Sequence, residues 1–174
     1  ASLREHEGKP FKSVGDPGLE LPARDAEAEA EPLLPNKELD RLKERCVDVL
    51  GDRITLVRET RVLDASPCRL VSPDDAPPRE MQRVYRMLNQ DFEAPKKILE
   101  LNRRHPLIQN LAWLVVNQPQ EPAINLAIEQ LYENGLLIEG LHPNPAAMAP
   151  RIQSLLEAAV SSLRASTASA ESDH

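Results

Sequence analysis

Cys46 and Cys68 are the residues best suited by type to covalent or metal chemistry, and they are the only two cysteines. A structural zinc site needs Cys or His ligands in closely spaced pairs, and no Cys or His pair here has that spacing. Both therefore read as buried, reduced thiols, which suits a reducing compartment. His105 could serve as a general acid or base only beside a nucleophile or carboxylate in a cleft, and the sequence supplies neither. Pro106 suits the first position of a helix, so His105 reads as the residue that starts that helix. With six glycines in all, the chain contains no G-x-x-x-x-G-K-S/T or G-x-G-x-x-G phosphate cradle and no G-x-S-x-G elbow. The acids fall mostly on helix faces expected to be solvated. No catalytic, cofactor-binding or metal-ligating residue is assigned, and no enzyme is expected.

The chemistry that remains is recognition, and the elements must supply it. A length of 174 residues suits one large domain, or one domain with flanking segments. Apolar residues make up 41 % and aromatics only 3 %, so Leu, Ile, Val and Ala must fill the core. A net charge of −7, with arginines scattered among acids, argues against a nucleic-acid partner. No apolar run approaches the roughly 20 residues of a membrane span, and the opening ASLREHEGKP lacks signal-peptide character. A soluble, cytoplasmic protein is expected.

Residues 1–21 are polar and rich in turn formers, with FKSV (11–14) a candidate edge strand. PARDAEAEAEP (22–32) has no apolar period and reads as an acidic linker. Leu39, Leu42, Cys46, Val49 and Leu50 mark a helix over 33–50, stopped by Gly51. ITLVRETRVL (54–63) reads as a strand and CRLV (68–71) as its partner. REMQRVYRMLNQ (79–90) follows Pro78 as a short helix, with Met81, Val84, Tyr85 and Leu88 on one side and Arg79, Arg83 and Arg86 on another. KKILELN (96–102) is a third strand. The helix around Trp113 is apolar enough to place that residue in the core.

The last two helices carry the strongest pattern. At about 100° per residue, Ile124, Ile128, Leu131, Gly135 and Ile138 share a face, while Leu126 and Leu137 point the opposite way. A helix apolar on two sides must be covered on two sides. Ile152, Leu155, Leu156, Ala159 and Leu163 form a single stripe on the final helix. A second copy could cover these surfaces in an intermolecular bundle. Pro150 removes a backbone bond, so a kink or a fresh helix start is expected there. Gly135 costs its helix about 1 kcal/mol relative to Ala and would allow a close crossing. The tail at 165–174 is expected to be disordered.

KKILELNRRHPLIQNL, LAIEQLYENGLLIEG and PNPAAMAPRIQSLL resemble the C-terminal domain of the heat-shock-protein-90 chaperone family, in its bacterial type. EGKPFKSV resembles the end of that family's middle domain, and LKERCVDVLGDRITLVRETRVLDASPCRLV the start of its C-terminal domain. The resemblance implies an α+β fold: a small three-stranded sheet with packed helices, the last two helices forming a four-helix bundle in a homodimer. It divides the chain into a middle-domain segment (1–21), a linker (22–32), a C-terminal dimerisation domain (33–164) and a tail. It implies an amphipathic helix at 78–90 that meets clients. ATP and Mg would belong to an N-terminal domain not included in this chain. The ending ESDH differs from the Met-Glu-Glu-Val-Asp signature, so no tetratricopeptide co-chaperone is expected.

These readings combine into a dimerisation and client-contact module of an ATP-dependent chaperone that binds unfolded or partly folded proteins. Its dimer contacts would be Ile124, Ile128, Leu131, Ile138, Ile152, Leu155, Leu156 and Leu163. Its client contacts would be Met81, Val84, Tyr85, Met87 and Leu88. The alternative is a monomeric regulatory or adaptor domain that binds a partner protein.

Overall fold

The computed structural model describes residues 5–6, 9–10, 34–60, 62, 65–88 and 93–172, with side chains from 34 to 165. The expected FKSV strand and the acidic linker lie outside the described residues. Near the start, β1 (Glu5–His6) pairs antiparallel with β2 (Lys9–Pro10). Helix α1 (Asn36–Leu50) buries Leu39, Leu42, Cys46 and Leu50, the apolar period of its sequence. It stops at Gly51, whose φ of 52° lies in the left-handed region that side chains disfavour.

The main sheet holds β3 (Ile54–Glu59), β4 (Cys68–Val71) and β5 (Lys97–Leu101) in the order β3-β5-β4. β5 runs parallel to β3 and antiparallel to β4, with Leu99 opposite both Val57 and Leu70. This corrects the expected pairing of β3 with β4. β5 contributes the most buried residues, so the centre of the sheet is where its side chains are best covered.

Alternation along β5 turns Leu99 and Leu101 into the core beside α1 and α4 (Pro122–Glu139). Glu100 takes the other face, between its register partners Arg58 and Arg69. Arg58 and Arg69 each reach its carboxylate at 2.6 Å. Burial alone would raise the Glu100 carboxyl, but hydrogen bonds from Arg69 and Arg58 outweigh it and hold the group below its ordinary value.

Helix α2 (Arg79–Leu88) lies between β4 and β5 in sequence. Helix α3 (Pro106–Asn117) is capped by His105, whose Nδ1 accepts the Leu107 N–H at 3.1 Å. Trp113 is 50 % exposed, which corrects its expected place in the core. The inward face of α3 is formed by Ile108, Leu111 and Ala112, and Trp113 falls outside that stripe.

Helix α4 crosses β4 closely at Gly135. A Cβ there would stand 2.7 Å from Leu70 Cγ. The helix closes on Gly140, at φ 73°, with Gly140 N–H donating to Leu137 O and Leu141 N–H to Leu136 O, the paired bonds of a Schellman cap. A 3-10 turn at Pro145–Met148 leads into α5 (Ala149–Ser172). Pro150 therefore sits in a new first turn, where its missing N–H would lack an intrahelical partner anyway. Helix α5 runs to Ser172, through most of the segment expected to be a disordered tail. RASTASAES contains neither Gly nor Pro and three alanines, so nothing local stops propagation.

Candidate protein-interaction surfaces

Helix α2 is inverted relative to an ordinary surface helix, which points its apolar stripe at the core. Met81, Val84 and Tyr85 are exposed, and Met87 and Leu88 are exposed to 83 % and 80 %. The buried residue of the helix is Gln82, at 1 %. All five residues expected to meet clients are therefore exposed, with Met81, Val84, Tyr85 and Leu88 spaced along one side of the helix and Met87 beside it.

The polar face of α2 meets a buried polar node. Lys97, at 0 % exposure, donates to Ser72 Oγ and Gln82 Oε1, both at 2.9 Å, and pairs with Glu139 Oε2 at 2.9 Å. Gln82 Nε2 donates to Pro77 O and Ser72 Oγ. Arg79 reaches Glu139 Oε1 at 2.7 Å. Arg83 donates to Glu139 O at 2.7 Å and Arg86 to Gly140 O at 3.3 Å. These two cations thus sit on the carbonyls that end α4, the negative end of its dipole. The node went unread in the sequence. Its one local signal is the spacing of Arg79, Gln82, Arg83 and Arg86, a polar stripe as regular as the apolar one.

The residues expected at a dimer interface separate into two groups. Ile124, Ile128 and Leu131 are buried in the chain's own hydrophobic core, on a helix that packs against α1, β4 and α3. Ile138 is 82 % exposed, and Ile152, Leu156 and Leu163 are exposed, joined by Val160. Leu155 is half-buried. Helix α5 is tied to α4 at its base by Arg151, which pairs with Glu129 at 2.9 Å and with Glu133, and donates to Gln130 Oε1 at 3.1 Å. Beyond that clamp its apolar stripe faces outward.

The groups considered for chemistry are not assembled into a site. Cys46 is buried and Cys68 half-buried, both as free thiols. Burial pushes each up to about 12, with Cys68 adding to the rise at Cys46, which removes the thiolate that reactivity requires. His105 caps α3. Among the described residues no cluster of His, Cys, Asp and Glu could hold a metal ion, and no helix is long and apolar enough to cross a membrane.

A family model described as Hsp90 protein matches residues 1–174. The chaperone protein HtpG of Chlorobium phaeovibrioides is 36 % identical over 158 residues, covering 91 % of this chain and 25 % of that protein. HtpG of Chlorobaculum tepidum is 35 % identical over 164 residues, 92 % of this chain and 26 % of its own length. HtpG of Oleidesulfovibrio alaskensis is 39 % identical over 123 residues, 71 % and 19 % respectively. The chain thus spans about a quarter or less of the curated relatives it matches. Matched from end to end by the family model, and similar over nine-tenths of its length to bacterial chaperones, the chain belongs to the Hsp90 protein family.

Proposed function

We propose that this chain is the dimerisation and client-contact module of an ATP-dependent chaperone. The observation that carries the client reading is the inversion of α2, with Gln82 inside and Met81, Val84, Tyr85, Met87 and Leu88 outside. An apolar ridge on a protein surface marks an interaction site, and methionine suits a surface that must adapt to many partners. The dimer reading draws support from the apolar side chains on α5 and from Ile138. Two copies packed along these helices would hold two chaperone arms together at high effective concentration. Nucleotide hydrolysis is assigned to parts of the longer family chains that this one does not span.

Binding of a permanently unfolded polypeptide tests the client role. Replacing Met81, Tyr85 and Leu88 together with Ser should weaken binding while leaving stability intact, because the ridge is exposed. Unchanged affinity overturns the assignment. Sedimentation equilibrium tests the dimer: a mass of twice 19.4 kDa is expected, reduced to that of the monomer by Leu156→Glu with Leu163→Glu. A wild-type monomer at tens of micromolar refutes it and favours the adaptor reading.

A further inference from the structure

The geometry points to Lys97 and Glu139 as the residues that position the α2 ridge: their buried pair decides which face of the helix turns outward. This rests on the client-contact reading of that ridge. Lys97 donates to Ser72 Oγ and Gln82 Oε1, each at 2.9 Å, and stands 2.9 Å from Glu139 Oε2 as an ion pair without hydrogen-bond geometry, so charge attraction alone satisfies that buried oxygen. Only one of these partners, Gln82, belongs to α2. Glu139 in turn receives Arg79 on its other oxygen. Rolling α2 over to bury Met81, Val84 and Tyr85 would take Gln82 and Arg79 away from a site that water does not reach. A buried ionic group left short of partners is among the costliest defects a fold can carry. The node therefore accepts the polar face of α2 and rejects the apolar one.

Specificity of this kind makes a sharp demand. With the pair replaced by apolar side chains, the hydrophobic effect acts on α2 as on any amphipathic helix and draws the ridge inward. Replacing both members of a buried pair is commonly neutral or stabilising, so the fold should survive Lys97→Met with Glu139→Leu. Oxidation of Met81 and Met87 by hydrogen peroxide, read by mass spectrometry, reports which face is out. The thioether takes one oxygen atom and peroxide leaves as water. The double variant should oxidise at these two residues several-fold more slowly than wild type and bind an unfolded polypeptide at least several-fold more weakly. Glu139→Asp alone, with Lys97 in place to pair with its charge, should keep both readouts close to wild type. A folded double variant whose methionines stay as reactive as in wild type overturns the positioning role.

Gln82→Met provides a second route should the double variant not fold. With Lys97 and Glu139 in place, and Arg79 still paired, the methionines should remain reactive. Protection of Met81 and Met87 in Gln82→Met alone would show that the helix's own pattern sets its direction, against the proposal. Protected methionines in the double variant with undiminished polypeptide binding would uphold the positioning role and refute α2 as the client contact.

Discussion

Gly135→Ala sets two effects of similar size against each other. Alanine in place of glycine within α4 gains about 1 kcal/mol of helix propensity. The new Cβ would stand 2.7 Å from Leu70 Cγ and 2.8 Å from Cδ1, closer than non-bonded carbons tolerate. Leu70 is buried in the core against α4, so relief requires moving a packed side chain. Overpacking of that kind costs about 1–3 kcal/mol, which leaves a net destabilisation of about 0–2 kcal/mol. The double-mutant cycle separates the terms. In a Leu70→Ala background the obstructing atoms are gone, and Gly135→Ala should then stabilise by about 1 kcal/mol. Urea unfolding followed by circular dichroism, at one protein concentration throughout, measures all four corners. A coupling of about 1–3 kcal/mol is expected. Additivity within about 0.5 kcal/mol, or stabilisation of the wild-type background by the full helix term, would refute the close-crossing explanation.

Other outcomes follow from the ionisable and oxidisable groups. Because the Glu100 carboxyl is held below its ordinary 4.5, the stability it contributes is in place above pH 4.5 and is lost as pH falls through the folded-state value. The stability difference between wild type and Glu100→Gln should accordingly shrink in acid, and a difference that grows there contradicts the Arg58–Glu100–Arg69 arrangement. Cys46 and Cys68, with thiols pushed up to about 12, should label with iodoacetamide at neutral pH only after unfolding. Rapid labelling of the native protein would show that one of them is accessible as a thiolate. Met87 and Met81 should oxidise well before Met148, which is buried; comparable rates at all three would mean that the α2 ridge is covered.

The limits of sequence reading have physical reasons at particular residues. Helices α1, α3 and α4 were legible because buried positions recur along a single chain segment, and Gly51 and Pro150 mark local backbone constraints. Strand order was not, because the central place of β5 depends on what covers Leu99 and Leu101 from elsewhere. Ile124, Ile128 and Leu131 show the same gap from another side. A periodic pattern says that a face is apolar; it does not say whether the cover comes from the same chain. Trp113 illustrates how an apolar neighbourhood can mislead about one member of it. The inversion of α2 was the hardest to see, since Ser72, Gln82, Lys97 and Glu139 come from separate segments and acquire meaning only when brought together.

The central strand is also the last of the sheet to be made. β3 and β4 have no partner in each other, so on the ribosome both must wait, with their ladder groups unpaired, until Lys97–Leu101 emerges between them. Glu139 appears later still. During that interval the α2 segment carries its apolar residues without the completed node that would turn them outward, and we expect it to lie against the exposed strands. Nascent chains stalled before residue 97 should then protect Met81 and Met87 from peroxide, whereas chains extended well beyond Glu139 should expose them. Synthesis would end by turning outward a surface that earlier lengths of the chain keep covered.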